Sequence, residues 1–234
     1  MANEYNFSMQ AKGSKKFENG HIIKYFAEYK SKEEDKEEKK MDDKNKFTWE
    51  YAKEHLQLCI RRKGQEPTSV LKKDFLDMEM YVRVILSADA NEQASYFVTP
   101  NMFFVSDEEI FARAFLSMKE NEDAYDMFTR LTVEFGQTVS IGGPDMIVVS
   151  NKTGVFGASA ICDTELLCSI AEKYKNNLVI LPSSIHECII TPAETLDTSF
   201  SEMVRNVNEN EVKPREQLSD HAYLYNRETG KITW

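Results

Sequence analysis

Beyond Asp77 the apolar residues of the chain switch repeatedly between a period of two and a period near 3.6, and this switching restricts the fold more than any other feature. Met80 to Leu86 is β-branched and aromatic, as a strand should be. After the turn-like Ser87-Ala88-Asp89-Ala90-Asn91, Ala94 to Thr99 supplies a second strand, so the pair predicts a hairpin closed by Pro100. Ser106 to Glu109 then forms a capping box, with Ile110, Phe111, Ala114, Phe115 and Met118 as one helical stripe behind it. Met146 to Val149 reads as a strand, Asn151 to Gly154 as its turn and Val155 to Cys162 as the antiparallel return.

Asp163 caps a further helix that points Leu166, Leu167, Ile170, Ala171 and Tyr174 inward, and Leu178 to Leu181 follows as a strand. A strand, a helix and a strand over that distance predict a right-handed crossover, hence a parallel pair and a mixed sheet. Pro182 to Ile185 turns into a strand from His186 to Thr191. A third helix is capped by Ser199 and Glu202, with Phe200, Met203, Val204 and Val207 inward, and a hairpin from Ala222 to Trp234 ends the chain. The expected class is therefore α+β: one mixed, mostly antiparallel sheet with helices packed on it, over residues 67–234.

Residues 1–66 read as a helical N-terminal segment. His21 to Tyr29 and Phe47 to Ile60 are amphipathic, the latter capped by Thr48 with Tyr51, Ala52, His55, Leu56 and Cys59 on one face. Between them residues 30–46 form a Lys/Glu-rich tether whose only apolar residue is Met41. Arg61-Arg62-Lys63 before Gly64 suits the C-terminus of the second helix. With 234 residues, 41% of them apolar, the chain can build a core without covalent staples.

Charge and cysteine usage exclude several function classes. Residues 1–66 carry 15 basic and 13 acidic side chains, whereas 67–234 carry 14 and 26. So acidic a body disfavours direct nucleic-acid binding. No apolar run approaches a membrane span, and no secretory signal opens the chain. Cys59, Cys162, Cys168 and Cys188 lack paired or zinc-finger spacing and read as core thiols of a reducing cytoplasm.

The corner Leu181-Pro-Ser-Ser-Ile-His-Glu187, the segment Val148 to Ala158 and the closing Leu218 to Gly230 (LSDHAYLYNRETG) resemble an uncharacterised "domain of unknown function" family common in anaerobic gut Firmicutes. The resemblance spans about residues 68–234, weaker over Phe75 to Phe115, while the first sixty residues depart from it. It implies a bacterial, cytoplasmic protein and no assigned activity.

The same corner holds the candidate chemistry. Ser183, Ser184, His186 and Glu187 supply nucleophile, base and orienter types within five positions. Strand alternation lets Ser184 and His186 share a face but separates His186 from Glu187, so a triad needs an acid from elsewhere, Asp163 or Asp220. The plainer account is a Ser-Ser turn bonded to backbone. No cofactor or metal site is expected: His186 and Cys188 make at most two ligands, and Gly142-Gly143 lacks a phosphate-binding fingerprint. Three functions follow: a module that binds a protein partner, a hydrolase using Ser183 or Ser184 with His186, and an acidic mimic of nucleic acid.

Overall fold

In a computed structural model, residues 9–10, 16–17, 43–88, 93–135 and 145–234 are described. The amphipathic segment His21 to Tyr29, most of the tether and Gly142-Gly143-Pro144 lie outside these residues. Met9–Gln10 (β1) and Lys16–Phe17 (β2) pair as a short antiparallel ladder. The fold proper is α+β and contains two antiparallel sheets.

The first sheet is organised by its longest strand. β5 (Met78–Ala88) pairs along one edge with β3 (Leu56–Arg62), and its other edge is shared in succession by β4 (Lys72–Phe75) and β6 (Gln93–Phe97). The expected hairpin of β5 and β6 is therefore present. The helix expected over Phe47 to Ile60 is not. Thr48 Oγ1 does accept from the Tyr51 amide, but the helix it caps, α1 (Trp49–Ala52), lasts one turn before the chain extends into β3. Leu56, Leu58 and Ile60 alternate with Gln57, Cys59 and Arg61, a period-two signal that pairing with β5 selects over the helical one. The boundary between Glu66 and Pro67 consequently falls inside this sheet, between β3 and β4.

One face of the sheet is apolar. Leu56, Leu58, Val82 and Val84 pack against α2 (Asp107–Asn121), which buries Ile110, Phe111, Ala114 and Met118, the stripe read from the sequence. Ser106 caps α2, its Oγ accepting from the Glu109 amide at 3.2 Å.

The second sheet runs β12 (Ile232–Thr233), β11 (Tyr223–Tyr225), β9 (Leu178–Leu181), β10 (Cys188–Pro192), β8 (Ile147–Asn151), β7 (Glu122–Asp126). Every ladder among the described residues is antiparallel. β10 lies between β8 and β9 and opposes both, so the crossover strands point the same way without bonding each other, which corrects the parallel pair. Alternate residues bury on opposite faces. Ile147, Val149, Leu178, Ile180, Cys188 and Ile190 share one core with α4 (Thr164–Tyr174), whereas Val148 meets α3 (Met127–Phe135), and Val179 and Leu181 meet α5 (Thr198–Asn210). The crossover reading took β8 and β9 for neighbours, whereas β10, later in the chain, inserts between them.

Two further readings are corrected. Val155 to Cys162 does not return as a strand; Gly157–Cys162 is a 3-10 helix tucked between the sheets. Asp197, rather than Ser199, caps α5. Ile60 and Met78 of the first sheet join the core of the second, and Asp77, in the β4–β5 turn, accepts hydrogen bonds from Tyr223 and His221 of the C-terminal region. The sheets thus share one interior. Cys59 and Cys188 fill it as expected, but Cys168 is exposed on α4. No helix among the described residues is long and apolar enough to cross a membrane.

Where α2 runs into β7, Glu122 is half-buried, and its Oε2 is shut off from water with no hydrogen-bond partner among the described residues. Burial raises its carboxyl to about 7; Asp163 and Glu165 add to this and Lys119 opposes it. The folded chain therefore holds this proton more tightly than the unfolded chain, whose Glu titrates near ~4.3. The resulting stabilisation is complete below that pH and lost as pH rises through about 7. Glu122→Gln should leave the unfolding midpoint unchanged at acid pH and raise it by about 2–4 °C above neutrality. A shift of equal size at both ends of the pH range would refute the assignment.

Candidate functional site

The corner after β9 is built by backbone ties. Ile185 N–H donates to Glu216 O (2.9 Å), Leu218 N–H to Ser183 O (3.2 Å) and Ser219 N–H to Pro182 O (3.1 Å), while Ala158 N–H reaches Ile185 O from the 3-10 helix (3.3 Å). Ser183, Ser184 and Glu187 are buried within this weave. β10 begins only at Cys188, so His186 and Glu187 sit in the connecting loop and the strand rule that set them on opposite faces does not apply.

The hydrogen bonds of Ser184 and His186 have structural destinations. Ser184 Oγ accepts from the His186 amide at 3.1 Å, the turn bond of the plainer account. His186 Nδ1 accepts from the Phe156 amide at 3.2 Å, which places the proton of the neutral ring on Nε2. Ser150 Oγ donates to the His186 carbonyl at 2.8 Å. The two suggested acids are engaged elsewhere: Asp163 caps α4 and lies 3.3 Å from Lys119 Nζ, and Asp220 pairs with Arg62. The hydrogen bonds from Arg62 overcome partial burial and hold the Asp220 carboxyl below its ordinary range. Ser184 and His186 are thus brought together through backbone.

What His186 does reach is a cavity of about 300 Å³, lined also by Arg61, Tyr81, Arg83, Phe97, Phe156 and Arg215. Its floor is the second face of the first sheet. Cys59 opposes Tyr81 and Arg61 opposes Glu79 in the β3–β5 register, so period two sends Cys59, Arg61, Glu79, Tyr81 and Arg83 to one side. Arg61 and Glu79 are 4% and 1% exposed and form a charge-assisted bond at 2.8 Å from Nε to Oε1, with Arg61 Nη2 also donating to Pro67 O (3.0 Å). Lys72 Nζ stands 3.2 Å from the other Glu79 oxygen.

Arg83 is held differently. Its guanidinium carbon lies 4.5 Å from the Phe97 ring centre and 4.6 Å from that of Phe156, a cation over two aromatic rings. Nε and Nη2 donate to Ser95 Oγ, a neutral acceptor, at 3.0 and 2.6 Å. No carboxylate among the described residues pairs with it. Beside it burial pushes the Tyr81 hydroxyl well above the usual phenol range, so Tyr81 stays a neutral donor.

The roof depends on an uncommon backbone. Phe156 has φ 55° and ψ 29°, the left-handed region, at a cost of ~1–2 kcal/mol for a residue with a side chain. The bond from its amide to His186 and the contact of its ring with His186 (5.5 Å) and Arg83 hold it there. The next residue must be glycine: a Cβ on Gly157 would overlap Ser150 Oγ and the Asn151 amide and lie 2.9 Å from the His186 carbonyl.

Arg61, Arg83 and their aromatic neighbours were not expected as site residues from the sequence, where Arg61 was assigned to a helix end. The available signal was a charged or polar residue at every second position of two strands, Cys59 and Arg61, and Glu79, Tyr81 and Arg83, which marks a strand face that meets something other than apolar core. Among the described residues no group of three His, Cys, Asp or Glu side chains is placed to hold a metal ion.

The chain belongs to a family described as "Family of unknown function (DUF5688)", whose model matches residues 7–227. The match includes most of the N-terminal segment that the sequence reading had set apart. No curated protein and no solved structure matches the chain.

Gly157→Ala should destabilise the protein by about 1–3 kcal/mol, the range for forcing atoms into a filled site, and should displace Phe156 and His186 together. Urea unfolding and the His186 imidazole NMR signals test this; wild-type values of both would show that the close approach is not required.

Proposed function

We propose that this DUF5688 protein is a reversible binding module of the bacterial cytoplasm, the protein-binding or accessory class expected from its sequence, and that its cavity receives an anionic group of the protein partner. One observation carries the reading: Arg83 is a guanidinium held over the rings of Phe97 and Phe156, and no carboxylate among the described residues answers its charge. Keeping such a charge half-buried costs solvation, and an anionic ligand returns that cost on binding. The hydrogen bonds of Ser184 and His186 support recognition over catalysis, since both groups serve the shape of the corner.

A second reading, hydrolysis through Ser183 or Ser184 with His186, draws on the position of His186 at the cavity wall. The binding reading expects immobilised protein to retain, from a library of peptides bearing acidic side chains or free C-termini, a subset whose affinity falls at least about tenfold in Arg83→Met. A library in which nothing binds, or binds both proteins equally, overturns it. Labelling by a fluorophosphonate probe that His186→Ala abolishes would establish the hydrolase instead.

A further inference from the structure

The histidine at the cavity wall gives the proposed anion site a proton of its own. We infer, resting on the reading of the cavity as an anion site, that His186 is a proton-linked binding group: the empty cavity keeps its ring neutral, and an anion enters together with a proton taken up on that ring.

The neutral ring is built into the empty site. His186 Nδ1 accepts from the Phe156 amide at 3.2 Å. An imidazole accepts there only while its single proton sits on Nε2; an imidazolium donates from both nitrogens and accepts at neither. A proton on the ring therefore sets two donors against each other, and turning the ring over only exchanges one N–H for another. Arg61, Arg83 and Arg215, which line the cavity with His186, also oppose a further cation in the empty space. The carboxylates on that wall are Glu66 and Glu216, and Glu187 is the buried neighbour of His186 in the chain. Glu216 lies against Arg215 and Lys213, and Glu66 accepts from the Thr68 amide.

When the proton arrives, the part free to move is the ring. Phe156 is held by its neighbours: Val155 O, in the same peptide unit as the Phe156 amide, accepts from Gln57 Nε2 (2.7 Å) and Asn151 Nδ2 (2.9 Å), and Gly157 is packed against Ser150 and Asn151. The His186 backbone is fixed as well, its amide donating to Ser184 Oγ (3.1 Å) and its carbonyl accepting from Ser150 Oγ (2.8 Å). The ring itself is half-buried and borders a space of about 300 Å³. Rotation about its side-chain bonds carries the imidazolium off the amide and into that space, where it stands as a cation beside Arg83.

An anion completes the exchange. In the empty site the neutral ring pairs with the Phe156 amide; in the filled site the charged ring pairs with the anion in a charge-assisted hydrogen bond, and an anion oxygen can accept from the amide the ring has left. Proton and anion each raise the affinity for the other by the same factor. Anion affinity therefore increases as pH falls through the titration of His186 and levels off once the ring is charged in the empty protein too.

Calorimetry on the full chain tests this with benzenesulfonate and inorganic sulfate, whose charges are constant over the range, and with the tightest peptide from the acidic library. Titrations in buffers of unequal protonation heat read the proton uptake directly. Affinity should rise at least about fivefold from about pH 8 to about pH 5.5, with uptake of a fraction of one proton near neutrality. His186→Asn places an oxygen where Nδ1 stands, so it keeps an acceptor for the Phe156 amide and carries no proton. It should show neither the uptake nor the pH dependence, and should bind at least about fivefold more weakly than the wild type at about pH 5.5. In NMR, saturating probe should move the His186 ring nitrogens to their protonated positions together with the Phe156 amide, and the amide should stay in place in His186→Asn. Binding without proton uptake, or the same uptake in His186→Asn, overturns the inference and leaves the anion-site reading standing. If none of the probes binds at any pH and the acidic library also fails, both fall.

Discussion

The buried pair of Arg61 and Glu79 is the constraint from which the cavity follows. Removing both charges from water is costly, and only a direct, well-directed pairing offsets it. That pairing requires Arg61 and Glu79 to be cross-strand neighbours, which they are in the register of β3 against β5. A slip of one residue would send Arg61 into the apolar face beneath α2 and expose Ile60 in its place. The ion pair and the apolar stripe of Leu56, Leu58 and Ile60 therefore specify the same register from opposite faces. A face carrying this pair cannot close into a dry apolar core against the second sheet. Where the two sheets approach, it leaves the polar, aromatic-walled space that His186 and Phe156 roof.

Most helices were legible because each carries its signal within its own sequence. Ser106 and Asp163 cap α2 and α4 as their patterns indicated, and the inward stripes are the buried ones. The C-terminal hairpin was equally local, Tyr223–Tyr225 pairing with Ile232–Thr233. What the sequence did not disclose were choices settled by distant partners. Leu56 to Arg62 satisfies helical and strand periodicity at once, and only β5, some twenty residues on, decides between them. Gly157 to Cys162 is apolar because it lies between two sheets, and the same composition would serve a strand.

The candidate corner lies beside a cavity, which Ile185 and His186 help to line. Ser184, His186 and the carbonyls of Pro182, Ser183 and Ile185 spend their hydrogen bonds binding the corner to residues 216–219, to Phe156 and to the 3-10 helix. Polar residues at a tight corner fulfil that task often, which is why residue types alone overstate chemistry. The arginines were missed for the opposite reason. Arg61 sat in a basic triplet explained adequately by a helix end, and Arg83 was one charge inside an otherwise apolar strand. Their common surroundings come into existence only when β3 joins β5 and Phe156 is folded over Arg83, a convergence of segments up to a hundred residues apart.

A local cation in a chain of net charge −10 also bears on what can reach it. The acidic body repels polyanions at distances up to about one Debye length, ~8 Å at physiological ionic strength. Arg83 acts within a few ångströms, half-buried against two aromatic rings that shield it from salt more than the surface carboxylates are shielded. Salt therefore weakens the repulsion faster than the attraction, and a single anionic group on a neutral or basic carrier gains most from the arrangement. A nucleic acid, which must bring many phosphates to the acidic surface in order to place one in the cavity, gains least. The contrast between body and cavity thus acts as a selectivity filter, with the cavity reading the anion and the body reading what carries it.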